Sequence, residues 1–426
     1  MIRKLGKYDV VRVLGHGATS TVYLGRDPFA QRDVAIKVAS PEALLDPERG
    51  HLYSRLFLNE ASLVGKLEHP HIAQIYDAVV AEKLCYTVME YVPGGTLDDY
   101  TRPDHLLPVE RAIEYVFKCT RALDYAFRLG LAHRDIKPAN ILLANDADIK
   151  ISDFGAAISS VGVQRTQISG IGSPAYMSPE QVQEQPLDHR TDIWSLGVVL
   201  YQLLTGRLPF TADTGFKMVY QIIHAEPPPP TSLRPELPPA LDAIVARAMA
   251  KDLEDRYQTW EQFAHDLAQV ARNRPVKARS ATLDDTEKFD ILRAMPFFAH
   301  FPDGELWEVL RFSHWHRVKR ESVVMRDGDT GNFFCFLADG ELKVTKGGRL
   351  LNLLTPGECF GEMAVVSRSG HVRGADVVAL APSSLITIRR DALDKASESC
   401  RMHFYQSFLE VLASRLTLAN QRLAAF

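Results

Sequence analysis

The stretch HRDIKPANILLANDADIKISDFG, residues 133–155, decides how the rest of the chain is read. Asp135, Lys137, Asn140 and Asp153 place two carboxylates, a carboxamide and an ammonium around short Ile/Leu runs. Asp135 can orient a hydroxyl and accept its proton. Asn140 and Asp153 offer the hard oxygen ligands that Mg²⁺ prefers, and Lys137 can neutralise charge on a phosphoryl group in transit. Phosphoryl transfer asks a protein mainly for such positioning and electrostatic stabilisation.

Upstream, GHGATSTV (15–22) lies between two strand-like segments, and Gly15 and Gly17 let backbone N–H groups approach phosphates with no Cβ in the way. A hairpin turn accounts for those glycines nearly as well. VAIK then puts Lys37 on a following strand, where an ammonium can meet the α and β phosphates. A buried ammonium needs a counter-charge, for which Glu60 in the helical stretch LFLNEASLVGKL is the candidate. The segments YDVVRVL, STVYLGRD, DVAIKVA, IAQIYDAVV and LCYTVMEYV read as strands. After PGGTL the chain turns to long amphipathic segments such as PVERAIEYVFKCTRALDYAFRLG, giving a β-rich lobe and then a helical one.

The 426 residues suffice for more than one core. A hydrophobic fraction of 46% with 24% charged residues belongs to the soluble globular class. The formal charge of −4 argues against nucleic acid as a principal partner. Five scattered cysteines with no CxxC pair suit reduced thiols. The longest apolar run, IWSLGVVLYQLL (193–204), is too short to span a membrane, and MIRKLGKYDVVRV carries no signal-peptide core. A cytoplasmic protein with no membrane partner is expected.

These motifs in this order resemble the protein kinase family over residues 8–270. The resemblance implies ATP and Mg²⁺ as cofactors. It assigns catalysis to Asp135, Lys137 and Asn140, and the metal to Asn140 and Asp153. Nucleotide binding falls to Gly15, Gly17, Val22, Lys37, Glu60 and the hinge VMEYV, with Met89 as gatekeeper and the backbone of Glu90 to Val92 on adenine. HRDIKPAN with Lys137 looks like a Ser/Thr kinase, in the style of the bacterial eukaryotic-like enzymes, acting on Ser and Thr of protein substrates. Glu180 of SPE is expected to pair with Arg256, and Asp192 to anchor the catalytic loop. The third glycine of the phosphate loop is replaced by Ser20, and Ala139 gives no support for a strict basic-substrate requirement. Ser173 in GSPAY stands where the family usually has Thr. Arg134 beside Asp135 calls for a phosphate on the activation segment, at Thr166 or Ser169, with Thr166 first.

Residues 271–288, ARNRPVKARSATLDDTEK, read as a solvated linker. Beyond it, residues 289–426 resemble the cyclic-nucleotide-binding domain of kinase regulatory subunits and catabolite activator proteins. DGDTGNFFCFLADGELKVTKGG matches the glycine-punctuated β-roll, and GECFGEMAVV followed by Arg373 matches the phosphate-binding cassette. In that match Gly361 permits a tight turn, N–H groups near Met363 and Ala364 meet phosphate, Glu362 accepts from the ribose 2′-hydroxyl and Arg373 engages the cyclic phosphate. A plain Glu362–Arg373 salt bridge is the alternative use of the two side chains. The polar insertion SRSGHV lengthens the loop, and Gly374 removes the hydroxyl that would favour guanine.

The expected architecture is therefore α+β: a bilobal kinase fold, a linker, and a β-roll with flanking helices. The expected function is a Ser/Thr protein kinase regulated in cis by cAMP or cGMP. An active kinase whose β-roll is a protein-docking module that binds no nucleotide stays open beside it. On the last helix Tyr405, Leu409, Leu412, Leu416, Ala419 and Leu423 repeat at heptad spacing, which serves either a homodimer seam or a lid over the β-roll.

Overall fold

The computed structural model of the protein describes residues 3–17, 20–40, 65, 67–81, 84–144, 148–154, 158–159, 174–272, 285–363 and 372–424. The chain divides into two compact units, Met1–Arg279 and Ser280–Phe426.

The first unit begins with an antiparallel sheet of order β1-β2-β3-β4-β6-β5. Its strands are β1 (Lys4–Leu5), β2 (Tyr8–His16), β3 (Ser20–Asp27), β4 (Arg32–Ala39), β5 (Ile75–Ala81) and β6 (Leu84–Glu90). Alternation along them buries Tyr8, Val34, Ile36, Val38, Tyr86 and Val88 on one side as a core. Two small ladders follow, β8 (Ile141–Leu143) with β9 (Ile149–Ile151) and β7 (Leu131–Ala132) with β10 (Ile158–Ser159).

That lobe holds α1 (Val109–Arg128), α2 (Arg190–Thr205), α3 (Gly215–His224), α4 (Ala240–Ala248) and α5 (Trp260–Arg272). The apolar run at 193–204 lies inside α2, where every residue from Thr191 to Thr205 is buried. A helix apolar all round belongs at the centre of a core, and α1, α4 and α5 surround the lobe's middle accordingly. Among the described residues no helix is long and apolar enough to cross a membrane.

The second unit opens with α6 (Asp285–Ala294) and α7 (Asp303–Phe312). Two four-stranded antiparallel sheets follow, of order β11-β18-β13-β16 and β12-β17-β14-β15. Their strands are β11 (His314–Val318), β12 (Val323–Met325), β13 (Phe333–Asp339), β14 (Leu342–Lys346), β15 (Arg349–Leu354), β16 (Cys359–Phe360), β17 (Asp376–Ala379) and β18 (Ser383–Arg389). Met325, Leu337, Leu342, Leu354, Phe360, Val377 and Leu385 fill the space between the sheets.

The last helix, α8 (Glu398–Ala424), uses two faces. Phe404 and Phe408 are buried against Phe297, Phe298 and Phe334 with ring centroids 5.1–5.9 Å apart. The other face leaves Tyr405, Leu409 and Leu416 45%, 67% and 63% exposed. The heptad stripe therefore looks away from the β-roll, and a different set of aromatic side chains docks the helix. The side chains of Ala419 and Leu423 lie outside the described residues.

Candidate functional site

In the first unit the β2–β3 hairpin, β4 and the two loops around β8–β9 converge. Gly15 on β2 stands opposite Val22 on β3, and Val22 stands opposite Lys37 on β4. Among the described residues, a Cβ added at Gly15 would meet nothing within 4 Å, so their packing does not demand glycine there. Gly17 donates to Ser20 O at 2.7 Å, closing the turn.

Lys37 Nζ lies 2.7 Å from Asp153 Oδ1. Burial pushes the Asp153 carboxyl up, but Lys37, joined by the nearby His133 and Lys137, outweighs it and holds the group below the usual carboxylate range. Glu60, the expected partner of Lys37, lies outside the described residues. Gly155 and the segment carrying Thr166, Ser169 and Ser173 do so too.

Around Asp135 the chain tightens into one hydrogen-bonded knot. Lys137 Nζ reaches Asp135 Oδ2 at 2.7 Å, and Asn140 Nδ2 donates to Asp135 O at 2.8 Å and to Oδ2 at 3.1 Å. The buried Asp192 of α2 accepts from the backbone N–H groups of His133 and Arg134, each at 2.6 Å. Burial raises the Asp192 carboxyl despite those donors and the nearby His133. His133 Nε2 meets Ser152 O at 2.9 Å, and Ser152 N donates to Asn140 O at 2.9 Å, tying the two loops together. Arg134 and Asp153 adopt φ of 64° and 60°, sterically costly for non-glycine residues and held by this surrounding network. Arg134 Nε is buried with no hydrogen-bond partner among the described residues.

At the hinge, Met89 is buried in β6, and Glu90 N donates to Gln74 O at 2.8 Å. Val92, two residues past the end of β6, is half-buried. Behind the catalytic loop, Arg256 makes a two-pronged pair with Glu180 at 2.7 and 3.2 Å, both side chains buried, as the sequence suggests. The Ser of SPE has its own task. Ser178 Oγ accepts from Gln181 N at 3.3 Å while Gln181 Oε1 accepts from Ser178 N at 3.0 Å, and Gln181 Nε2 donates to Arg134 O at 3.0 Å. The capping-box spacing Ser-x-x-Gln was the signal for this link, and sequence reasoning passed it over.

In the second unit Gly361 adopts φ 78° at the end of β16, and a Cβ there would lie 2.5 Å from Met325 Cε. Glu362 and Arg373 stand on either side of residues 364–371, which carry Ala364 and the SRSGH part of the insertion and lie outside the described residues. The two do not form the simple pair considered above. Glu362, 2% exposed, binds Arg415 of α8 at 2.6 Å, and Arg415 also donates to Cys359 O. Arg373 turns inward instead: Nη1 donates to Gly361 O at 2.8 Å and Nη2 to Phe333 O at 2.7 Å. Its guanidinium lies 4.5 Å from the centre of the Phe333 ring, and burial lowers its pKa. A Cβ at Gly331 would fall 2.3 Å from Arg373 Nη2, so glycine is what admits the guanidinium. Both polar side chains of the cassette thus have intramolecular partners. Arg415 was not recognisable from sequence because it lies 53 residues from Glu362 and off the heptad stripe.

A family model for the protein kinase domain matches residues 8–268, and one for the cyclic nucleotide-binding domain matches residues 315–400. Serine/threonine-protein kinase PknB of Mycolicibacterium smegmatis is 38% identical over 297 residues, covering 68% of this chain and 47% of that protein. PknB of Mycobacterium tuberculosis is 39% identical over 293 residues, covering 67% and 46%. A probable serine/threonine-protein kinase of Streptomyces coelicolor is 36% identical over 283 residues, covering 65% and 42%. The chain spans about half the length of the curated relatives it matches.

Proposed function

The chain belongs to the protein kinase family and carries a C-terminal cyclic nucleotide-binding domain, and from that premise we propose that it transfers the γ-phosphoryl group of ATP to Ser and Thr hydroxyls of proteins. The observation that carries this reading is that the Lys37–Asp153 pair and the bonded Asp135–Lys137–Asn140 group sit on two loops tied together by the Ser152 N to Asn140 O bond. Asp135 orients the acceptor hydroxyl and takes its proton, with Lys137 and Asn140 fixing the carboxylate. Lys37 cradles nucleotide phosphates, Gly15, Gly17 and Val22 cover them, and the hinge backbone at Glu90 to Val92 meets the base. Asp153 and Asn140 supply oxygen ligands for Mg²⁺, whose part is to neutralise phosphate charge when bound. Their carboxylate and carboxamide oxygens suit a hard cation.

The kinase domain is proposed to run over 8–270, with a linker at 271–288 and the second domain at 289–426. Buried, unpaired cysteines and ATP-dependent chemistry support a cytoplasmic setting. Radiolabelled ATP with the full chain and a generic basic protein tests the activity. Asp135→Asn should lower transfer by about 10²–10⁴-fold with an unchanged melting profile, the range for loss of a general base. Equal transfer by wild type and variant would remove the reading.

For the second domain, we propose that cAMP or cGMP binds the cassette and shifts the kinase between states through differential affinity. Glu362 and Arg373 are the residues that would read ribose and phosphate. One observation favours the docking-module reading: both groups are already satisfied by the protein itself. Calorimetry of the full chain with each nucleotide, with Arg373→Ala as control, separates the two. No heat at high micromolar ligand leaves docking as the function of the β-roll.

A further inference from the structure

Lys150 is the central residue of the three-residue strand β9, and its neighbours Ile149 and Ile151 point into the core with no exposed surface. Strand alternation sends Lys150 the other way, and its Nζ lies 2.9 Å from Glu90 Oε2 at the end of β6. The two side chains are 17% and 27% exposed, so the pair is largely shielded from water. The same carboxylate accepts from Gln74 N at 3.3 Å, while Glu90 N donates to Gln74 O.

The backbone of β9 is held beside the same segment. Ile151 N donates to His71 O at 2.8 Å, Ala73 N donates to Ile151 O at 2.9 Å, and Ile72 and Ile151 form a parallel bridge. Two residues after Ile151 comes Asp153, bonded to Lys37. One short span of β9 therefore connects the end of β6, where the proposed base-binding edge begins, to the carboxylate proposed to hold the metal. Among the described residues the backbone bonds from β9 to this segment are to residues 71–73, and its paired strand β8 holds Gly94 and Gly95, just past the hinge, through Leu143. The Lys150–Glu90 pair adds a side-chain link from β9 to the hinge itself.

We infer that Lys150 is a positioning residue for nucleotide binding: through the Glu90 carboxylate it sets the hinge relative to the strand that delivers Asp153. It touches neither nucleotide nor substrate. Its effect falls on how well the base and phosphate ends of the cleft are spaced before ATP arrives. Pre-set spacing lowers the cost of binding and leaves the transfer step, run by Asp135, alone. The inference rests on the kinase reading of the cleft.

The test uses the full chain and two readouts: steady-state transfer with varied ATP, and calorimetric Kd for a non-hydrolysable ATP analogue with Mg²⁺. Lys150→Met should raise KM for ATP and the analogue Kd by about three- to tenfold, with kcat within about twofold, and Glu90→Gln should raise the analogue Kd by a similar factor. Lys150→Arg should restore most of the loss, and the double variant should be no worse than either single one, since each removes the same pair. Unchanged Kd in both single variants, a kcat loss at constant KM, or fully additive effects would each overturn the inference. Should Lys150→Met fail to fold, Glu90→Gln breaks the pair from the other side and decides alone. If wild type shows no transfer that depends on Asp135, the kinase reading falls, whereas the analogue Kd still reads the positioning role.

Discussion

Arg415 of α8 and Glu362 of the cassette form a 2.6 Å ion pair, so the carboxylate expected to read a ribose is held by the protein's own last helix. A nucleotide whose 2′-hydroxyl uses Glu362 must compete with a charge-assisted bond. Under the nucleotide-binding reading, Arg415→Ala should tighten cAMP or cGMP binding about tenfold by calorimetry, and Arg373→Ala should abolish it in either background. Arg415→Ala also leaves a buried carboxylate without its cation, and should lower the stability of the second unit by about 1–3 kcal/mol in urea denaturation.

Gly331 and Arg373 make a second prediction on the same site. Gly331→Ala places a methyl group where the guanidinium now lies and should cost about 1–3 kcal/mol. Combined with Arg373→Ala the clash disappears, so the double variant should be clearly more stable than the sum of the single losses. Additive losses in thermal unfolding would show that Arg373 does not occupy this position.

The Arg256–Glu180 pair is buried on both sides. Arg256→Ala leaves Glu180 charged and unpartnered, with an expected loss of about 3–5 kcal/mol. Replacing both by methionine should recover most of it, because no isolated charge remains. Chemical denaturation of the three variants checks the order.

The pH dependence of the first unit follows from Lys37 and Asp153. The folded pKa of Asp153 is lowered, so its stabilising share is complete above the unfolded carboxylate value of about 3.9 and is lost as pH falls through the lower folded value. In Lys37→Met, burial acts on Asp153 without the opposing ammonium, so its folded pKa shifts up, the charged carboxylate costs stability at neutral pH, and falling pH relieves that cost. Urea midpoints measured from pH 3 to 7 should show the gap between wild type and variant closing at the acid end. A gap that stays constant with pH would refute the coupling.

The residues proposed to act in transfer were proposed from sequence because each lies in a short motif: Asp135, Lys137 and Asn140 within eight residues of HRDIKPAN, and Asp153 in DFG. The Arg256–Glu180 pair was legible only through the family resemblance, since 76 residues separate the partners. The β-roll and its cassette were legible from glycine placement for a comparable reason: positive φ at Gly328, Gly340 and Gly361 marks turns that few other residues tolerate.

What the sequence alone determined is thus which chemical groups the chain owns and which local turns display them. Only the tertiary structure decided whom those groups face. Glu362 meets Arg415 across 53 residues, Arg373 turns to the carbonyls of Gly361 and Phe333, Lys150 reaches Glu90 across 60 residues, and α8 docks through Phe404 and Phe408 while its heptad stripe faces out. Side-chain spacing encodes neighbours within a turn or a pleat. Partners brought together by helix docking and sheet closure depend on how all the buried surfaces fit at once, and no local pattern records that.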